Sequence, residues 1–467
     1  MTDTTQTPED PDEGPPPDHK YSSAIRFLAS CRASLIRVHP ARLLLFGYLS
    51  YMLIGWFFLA LPWAQEVPVA ALDSLFISTS AVSTTGLVSV DPGTSFTFFG
   101  ELVIIILIQI GGLGYMTIGS FAVLALQQKL GRMREKTVKA AFNLPNDISP
   151  AMFLRSVIVF TFGCEIVGAA ALYPMFVEAG VDNAMWSAIF HSISAFCTAG
   201  FSLNSNSFES FSGNFGVNIV ISALSLLGAM GFLIIVDTWR TMLGRSRHLG
   251  FTSKVIFRIT ALFLLFGTLV MFIAEPGIAA LPNSERLMVA FFQTMTATTT
   301  VGFNTYPIGE VIPAVLMVIF FLMVIGASPA GTGGGIKTTS FAALIGLVRS
   351  TLKGRERVRF FKRQVPLDKL QTATALLTYY CGLLMVAMFC LLLTEPGAAF
   401  EVIMFEAISA MGTVGLSMGI TGDLSDLGKL VVIALMTAGR VGILTFGIAL
   451  AAHDETREEE EDNQLIM

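Results

Sequence analysis

Phe76-Ile77-Ser78-Thr79-Ser80-Ala81-Val82-Ser83-Thr84-Thr85-Gly86-Leu87 is the stretch that decides the fold, because it recurs. The pattern Phe-x3-[Ser/Thr]-Ala-x2-Thr-x-Gly-[Leu/Phe] begins again at Phe190, Phe292 and Phe405. Those copies close on Gly200-Phe201, Gly302-Phe303 and Gly415-Leu416. Each copy lies between two long apolar runs. Four similar elements in one chain predict four quarters around a common axis. A ring of Thr-x-Gly backbone in a membrane protein points to a carbonyl-lined ion filter.

The 467 residues are 53% hydrophobic and only 13% charged, about half the charge of a soluble domain. Apolar runs of roughly 20 residues, enough to cross a bilayer as helices, recur at 42–63, 100–127, 152–175, 213–240, 256–280, 310–347, 370–394 and 427–452. Shorter apolar stretches at 71–84, 184–197, 286–299 and 400–412 cannot span and read as re-entrant pore helices. The expected fold is all-α and integral to the membrane. It has eight transmembrane helices plus four re-entrant pore helices, in four helix–pore helix–helix (M1-P-M2) repeats with pseudo-fourfold symmetry around one pore. The expected division is a disordered cytoplasmic segment 1–40, repeat 1 at 41–140, repeat 2 at 150–247, repeat 3 at 252–350, repeat 4 at 365–452 and an acidic tail at 453–467.

Net charge is −5, but its distribution says more. Arg26, Arg32, Arg37 and Arg42 precede the first span; Lys129, Arg132, Arg134, Lys136 and Lys139 follow the second. Arg240, Arg245, Arg247, Lys254 and Arg258 surround the next join, and Arg349, Lys353, Arg355, Arg357, Arg359, Lys362, Arg363 and Lys369 the third. The re-entrant side is acidic, with Arg286 and Lys429 as its basic residues. Positive charge stays inside, so both termini are expected in the cytoplasm of a plasma (bacterial inner) membrane, and the acidic mouth outside concentrates cations. Cys31, Cys164, Cys197, Cys381 and Cys390 have neither metal-ligand nor disulfide spacing and read as small packing residues. Residues 1–20 are polar and Pro-rich, unlike a cleavable signal peptide.

A dehydrated cation needs oxygen dipoles in place of its water. Rings of four carbonyls supply them if the backbone visits conformations that a Cβ strains and glycine does not. The expected ion-binding filter is therefore Thr84, Thr85, Gly86; Thr198, Ala199, Gly200; Thr300, Val301, Gly302; and Thr413, Val414, Gly415. The four glycines are the positions least open to substitution. The x residues act through their carbonyls, and each threonine hydroxyl adds an oxygen at the inner end. The filter is shorter than the potassium-channel Thr-Val-Gly-Tyr-Gly, so K⁺ is preferred and Na⁺ or Rb⁺ also enters.

Small-residue motifs follow each filter: Gly111–Gly114, Gly228–Gly231, Gly326–Pro329 and Gly439–Gly442. Close helix packing and pore lining are equal readings of the first two. Arg440, in the middle of the last span, is costly in a membrane; it reads as a barrier in the pore or as a snorkelling side chain. Gly331-Thr332-Gly333-Gly334-Gly335 interrupts the sixth span, tolerable only against protein or a wet cavity. Lys337 behind it reads as an anchor or as part of permeation. His191 reads as a hydrogen-bonded packing residue. Glu165 and Glu406 read as partners of embedded cations.

The chain resembles the Trk/Ktr/HKT superfamily of potassium transporters, most of all the membrane subunit (KtrB type) of the bacterial Ktr system. The residues that carry this are Gln109–Gly114, Ser194–Phe201, Phe291–Gln293, Val301–Thr305, Gly333–Thr339, Phe405–Ala410, Gly412–Ser417 and Gly439–Thr445. Thr198 departs from an expected Asn, and Thr298-Thr299 from an Arg common in the third pore region. Gly86 is similar to K⁺-permeable members, whereas sodium-selective plant relatives carry Ser there. The resemblance implies potassium uptake, stimulated by Na⁺. It implies a loop at Gly331–Gly335 that closes the pore, with Lys337 and Arg440 completing the gating set. It also implies a homodimer and a cytosolic nucleotide-binding regulatory ring of the KtrA type. A Na⁺-permeable or Na⁺/K⁺ cotransporting HKT-like member is the alternative. No catalytic cluster and no phosphate-binding loop appears, so no enzyme, no cofactor beyond the transported ions and no nucleic-acid partner is expected.

Overall fold

The computed structural model describes residues 40–127, 150–244, 248–329, 331–355, 357–360 and 363–451. The basic residues before position 40 and at 129–139, together with Arg245, Arg247, Lys362, Cys31 and the acidic tail, lie outside the described residues.

The first unit is α1 (Pro40–Leu59), α2 (Ala71–Ser83) and α3 (Phe98–Gln127). The second is α4 (Pro150–Glu178), α5 (Ala184–Phe196), α6 (Phe215–Met230) and α7 (Phe232–Met242). The third is α8 (Phe251–Ala274), α9 (Asn283–Thr299), α10 (Pro313–Val324) and α11 (Thr338–Leu352). A two-strand hairpin, Arg359–Phe360 with Arg363–Gln364, leads to the fourth unit: α12 (Leu367–Thr394), α13 (Phe400–Gly412), α14 (Asp426–Val441) and α15 (Ile443–Ala451).

Among the described residues four helices, in α1, α4, α8 and α12, are long and apolar enough to cross a membrane alone. They are mostly unburied within the chain, and apolar side chains such as Phe57, Val167, Leu265 and Phe389 are exposed on them. So much contiguous exposed apolar surface suits lipid rather than water. The short helices α2, α5, α9 and α13 are the reverse. They are buried, yet rich in Ser and Thr: Ser78, Thr79, Ser80, Ser192, Ser194, Thr294, Thr296 and Ser409 are almost wholly enclosed. Polar helices inside and apolar helices outside is the arrangement that a lipid solvent selects.

Three expected spans are interrupted, two of them read as continuous and the sixth already expected to break at its glycine-rich segment. The run 213–240 breaks at Gly231 (φ 80°), where the flanking helices bend by 103°. The run 427–452 breaks at Gly442 (φ 93°), with a bend of 105°. In both the second glycine of the small-residue motif takes a backbone conformation that a Cβ would strain. The run 310–347 holds two helices with a non-helical segment between Val324 and Thr338. The broken ends are satisfied locally. The Thr332 N–H donates to Gly228 O at 3.2 Å and the Ser328 N–H to Ala229 O at 3.1 Å, so the loop caps α6.

One ion pair joins the fourth unit to the first. Lys429 Nζ at the start of α14 lies 2.7 Å from Asp73 Oδ1 in the first turn of α2, with side chains 11% and 13% exposed. Removing one partner strands the other charge, at a cost of about 3–5 kcal/mol for a buried pair. Asp73→Asn is therefore expected to lower the thermal midpoint in detergent markedly, and Asp73→Leu with Lys429→Met to recover most of it. Equal midpoints for the single and double variants would contradict this role.

Candidate functional site: a ring of main chain

The repeated motif is a helix ending with one unusual residue. In the first unit the Thr85 N–H donates to Ser80 O at 2.9 Å and the Thr84 N–H to Ala81 O at 3.0 Å. The second unit has Ala199 to Ser194 (2.8 Å) and Thr198 to Ala195 (3.2 Å); the fourth has Val414 to Ser409 (2.9 Å) and Thr413 to Ala410 (3.1 Å). In the third, Val301 N–H donates to Thr296 O at 3.2 Å. This is the six-residue cap that ends many helices, and its fifth residue is left-handed and usually Gly. Here that residue is threonine each time: Thr84 (φ 51°), Thr198 (φ 50°), Thr300 (φ 57°) and Thr413 (φ 48°). A β-branched residue there costs of order 1–3 kcal/mol, and such strain concentrates at functional sites. The [Ser/Thr]-Ala pair of the motif is positions one and two of the cap. Its hydroxyl also reaches the glycine: Ser80 Oγ accepts the Gly86 N–H and Ser409 Oγ the Gly415 N–H, each at 3.1 Å.

Beyond the caps the four strands meet. Gly86, Gly200, Gly302 and Gly415 all have positive φ, between 67° and 94°. A Cβ at Gly86 would overlap Ala199 O, one at Gly200 Val301 O, one at Gly302 Val414 O and one at Gly415 Thr85 O. The order is one to two to three to four and back to one. Each glycine thus leaves room for the carbonyl of the next unit's x residue, and the ring closes on itself. Thr84, Thr198, Thr300 and Thr413 are fully buried, and the Oγ1 atoms of Thr84, Thr300 and Thr413 have no hydrogen-bond partner among the described residues. Buried oxygens without donors are costly unless something else approaches them.

The glycine-rich loop lies against the helix ends of this ring. A Cβ at Gly333 would meet Thr300 Oγ1, and one at Gly334 would meet Thr413 Oγ1. Thr198 Oγ1 donates to Thr332 Oγ1 at 2.9 Å. The Gly331 position abuts Ala229 O, and Gly335 (φ 69°) turns back on Gly326. Arg440 donates to the Thr332 carbonyl of this loop and to the Gly111 carbonyl of the first unit. It is held by carbonyls, so it bridges loop and first unit instead of snorkelling. Lys337 Nζ folds back to Gly333 O at 2.5 Å, which makes it an anchor of the loop.

The first glycines of the small-residue motifs are packing contacts. Gly111, Gly228 and Gly439 abut the carbonyls of Val82, Phe196 and Met411, in the last turns of α2, α5 and α13. In the third unit Gly326 takes Gly334 of the loop instead. Among the described residues Glu165 and Glu406 pair with no cation. Glu165 accepts from Gln109 Nε2 at 3.0 Å, and Glu406 from Ser417 Oγ at 2.8 Å and Thr421 Oγ1 at 2.6 Å. His191 is hydrogen-bonded and buried, as its sequence context suggests. Cys164, Cys197, Cys381 and Cys390 are unbridged, and the described residues include no cluster of three metal-binding side chains.

Where the strands leave the ring, Glu209 accepts from Asn304 Nδ2 at 2.7 Å. Its burial raises the carboxyl above the usual range, the Asn304 bond opposes this, and the neighbouring Glu310 adds to it.

Apolar outer helices around short buried ones define a multi-pass helical membrane protein. Residues 57–459 match the family model TrkH, described as cation transport protein. The Ktr system potassium uptake protein B of Vibrio alginolyticus is 34% identical over 420 residues, covering 89% of this chain and 92% of that protein. The protein of that name from Bacillus subtilis is 33% identical, covering 92% and 97%. The potassium/sodium uptake protein NtpJ of Enterococcus hirae is 34% identical, covering 89% and 93%. The solved structure of the potassium transporter TrkH from Vibrio parahaemolyticus shares the fold, with TM-score 0.65 at 20% identity over 87% of this chain and 84% of that one. The chain belongs to the TrkH family of cation transport proteins.

Proposed function

We propose that this chain is the membrane subunit of a potassium uptake system and conducts K⁺ through the ring formed by residues 84–86, 198–200, 300–302 and 413–415. The observation that carries this reading is the cyclic contact of the four glycines with their neighbours' carbonyls. A dehydrated ion on that axis meets oxygen from every unit. The C-terminal ends of α2, α5, α9 and α13 converge there, and helix C-termini favour positive charge. The partnerless hydroxyls of Thr84, Thr300 and Thr413 suit an added cation. The eightfold helix count, the fourfold symmetry and the repeat boundaries at 41–140, 150–247, 252–350 and 365–452 belong to the same proposal.

Flow is passive. An inside-negative potential supplies about 2.3 kcal/mol per charge per 100 mV, enough to accumulate K⁺ without chemistry. The loop 331–335 with Lys337 and Arg440 forms the gate. Positive loops such as that bearing Arg355, Arg357 and Arg359 face the cytoplasm of the inner membrane. There they meet a nucleotide-binding regulatory ring, and the chain works as a homodimer stimulated by Na⁺. The NtpJ likeness favours one second reading, in which Na⁺ is itself carried.

The test is tracer uptake by the purified chain in proteoliposomes, with rubidium and sodium supplied singly and together. Rubidium uptake driven by an inside-negative potential, stimulated by sodium, is expected. Uptake of sodium alone would replace this reading with the second.

A further inference from the structure

Two of the four units carry an additional device just beyond the ring. His191 follows Phe190 and Glu406 follows Phe405, so they hold the same place in the repeat. Both are fully buried. Ser202 and Ser417 also share a place, two residues after Gly200 and Gly415.

In the second unit His191 Nε2 lies 3.0 Å from Ser202 Oγ and accepts the Leu203 N–H at 3.3 Å. An amide N–H only donates, so Nε2 carries no proton. The proton sits on Nδ1 and is donated to Ser187 O at 2.8 Å. The Ser202 hydroxyl must then donate to Nε2, while its oxygen takes the Asn204 N–H at 2.9 Å. In the fourth unit Ser417 Oγ donates to Glu406 Oε2 at 2.8 Å, while its oxygen takes the Gly419 N–H at 3.0 Å. Thr421 Oγ1 holds the other carboxylate oxygen at 2.6 Å. One circuit is thus built twice, from an imidazole and from a carboxylate: pore-helix acceptor, serine hydroxyl, then the amide two residues on.

The other two units lack it. The first has Ile77 and Val88 at these places, which cannot hydrogen-bond. The third has Gln293 and Asn304, and they bond elsewhere: Gln293 Nε2 to Tyr306 O at 2.7 Å, and Asn304 Nδ2 to Glu209. The units follow one another in ring order, so two and four face each other across the axis. The device is twofold where the ring is fourfold.

We infer that His191 and Glu406 are positioning residues for ion discrimination, which pin the strands leaving Gly200 and Gly415 through Ser202 and Ser417. This rests on the reading of the ring as the filter. A pinned strand keeps its carbonyls apart for a large ion, and a released one closes on a smaller ion at less cost. The serine link is thus confined to one diagonal; in the third unit Gln293 Nε2 reaches the outgoing strand directly at Tyr306 O, and the first unit has no such side-chain tie at these places.

The experiment compares rubidium with sodium tracer uptake by the full chain in proteoliposomes, for Ser202→Ala, Ser417→Ala, the double variant, Ser202→Thr and Ser417→Thr. Gly86→Ser is included as a direct perturbation of the ring. Each Ser→Ala change is expected to lower the rubidium-to-sodium ratio about fivefold, the factor that one ordinary hydrogen bond corresponds to. The threonine variants keep the hydroxyl and are expected to keep the ratio. An unchanged ratio in Ser202→Ala and Ser417→Ala, with an altered one in Gly86→Ser, overturns the inference and leaves the filter standing. Unchanged ratios in all three overturn both. Should a variant carry too little flux, K⁺ against Na⁺ stabilisation of the purified chain in a thermal melt replaces the ratio; a retained difference in the serine variants also overturns the inference.

Discussion

Serine in place of Gly86 is expected to lower the K⁺-over-Na⁺ uptake ratio at least tenfold. Gly86 has φ 94°, and the atoms that its Cβ would meet are the Ala199 carbonyl and the Gly200 backbone, not a side chain that can swing away. The strand cannot retreat freely, because the Gly86 N–H is tied to Ser80 Oγ and the Thr85 N–H to Ser80 O. The strain of a side chain there, of order 1–3 kcal/mol, falls on the ring itself, and 1.4 kcal/mol is a factor of ten. The same holds for Gly200, Gly302 and Gly415. Paired tracer uptake measures it. A ratio unchanged at normal protein level would remove Gly86 from the ion path.

Arginine 440 gives the second large effect, in the opposite direction. Arg440→Ala is expected to raise K⁺ flux tenfold or more, and so is shortening the loop 331–335. The guanidinium holds the Thr332 carbonyl and the Gly111 carbonyl together, tying the loop to the first unit. Hydrogen bonds to charged groups contribute about 1.5–3 kcal/mol each; under the proposed gating they would keep an open state of the loop rare. The loop's other holds tie it to the second unit or to itself: Thr332 to Gly228 and Thr198, Ser328 to Ala229, and Lys337 to Gly333. The substitution also removes a positive charge that repels cations. Reduced or unaltered flux in both variants, at normal protein levels, would contradict a closing role for this pair.

Much of this architecture is legible in the amino-acid order because each quarter repeats the same problem. The short helices occur at Ala71–Ser83, Ala184–Phe196, Asn283–Thr299 and Phe400–Gly412, close to the four apolar stretches too short to span. Apolar length fixes them, and the recurring Thr-x-Gly fixes where they end. The breaks at Gly231 and Gly442 are not legible in that way. Both sit in apolar runs, and each bend turns on the φ of a single glycine. The left-handed threonines were equally hidden. Threonine is a poor resident of that region, and only the spacing of [Ser/Thr]-Ala five and four residues before the x position marks the cap. Partner choice was the least accessible of all. Arg440 binds carbonyls from two other units. Glu406 turned out to serve hydroxyls of its own unit rather than a cation. Contacts of that kind depend on tertiary approach, which no local pattern encodes.

Anomalous diffraction from crystals grown with rubidium or thallium decides whether the ring of main chain holds the ion. Density is expected on the axis between the carbonyls of Thr85, Ala199, Val301 and Val414, with further density near the hydroxyls of Thr84, Thr300 and Thr413. Strong anomalous peaks elsewhere in the chain, with none inside this ring, would contradict that role for the ring.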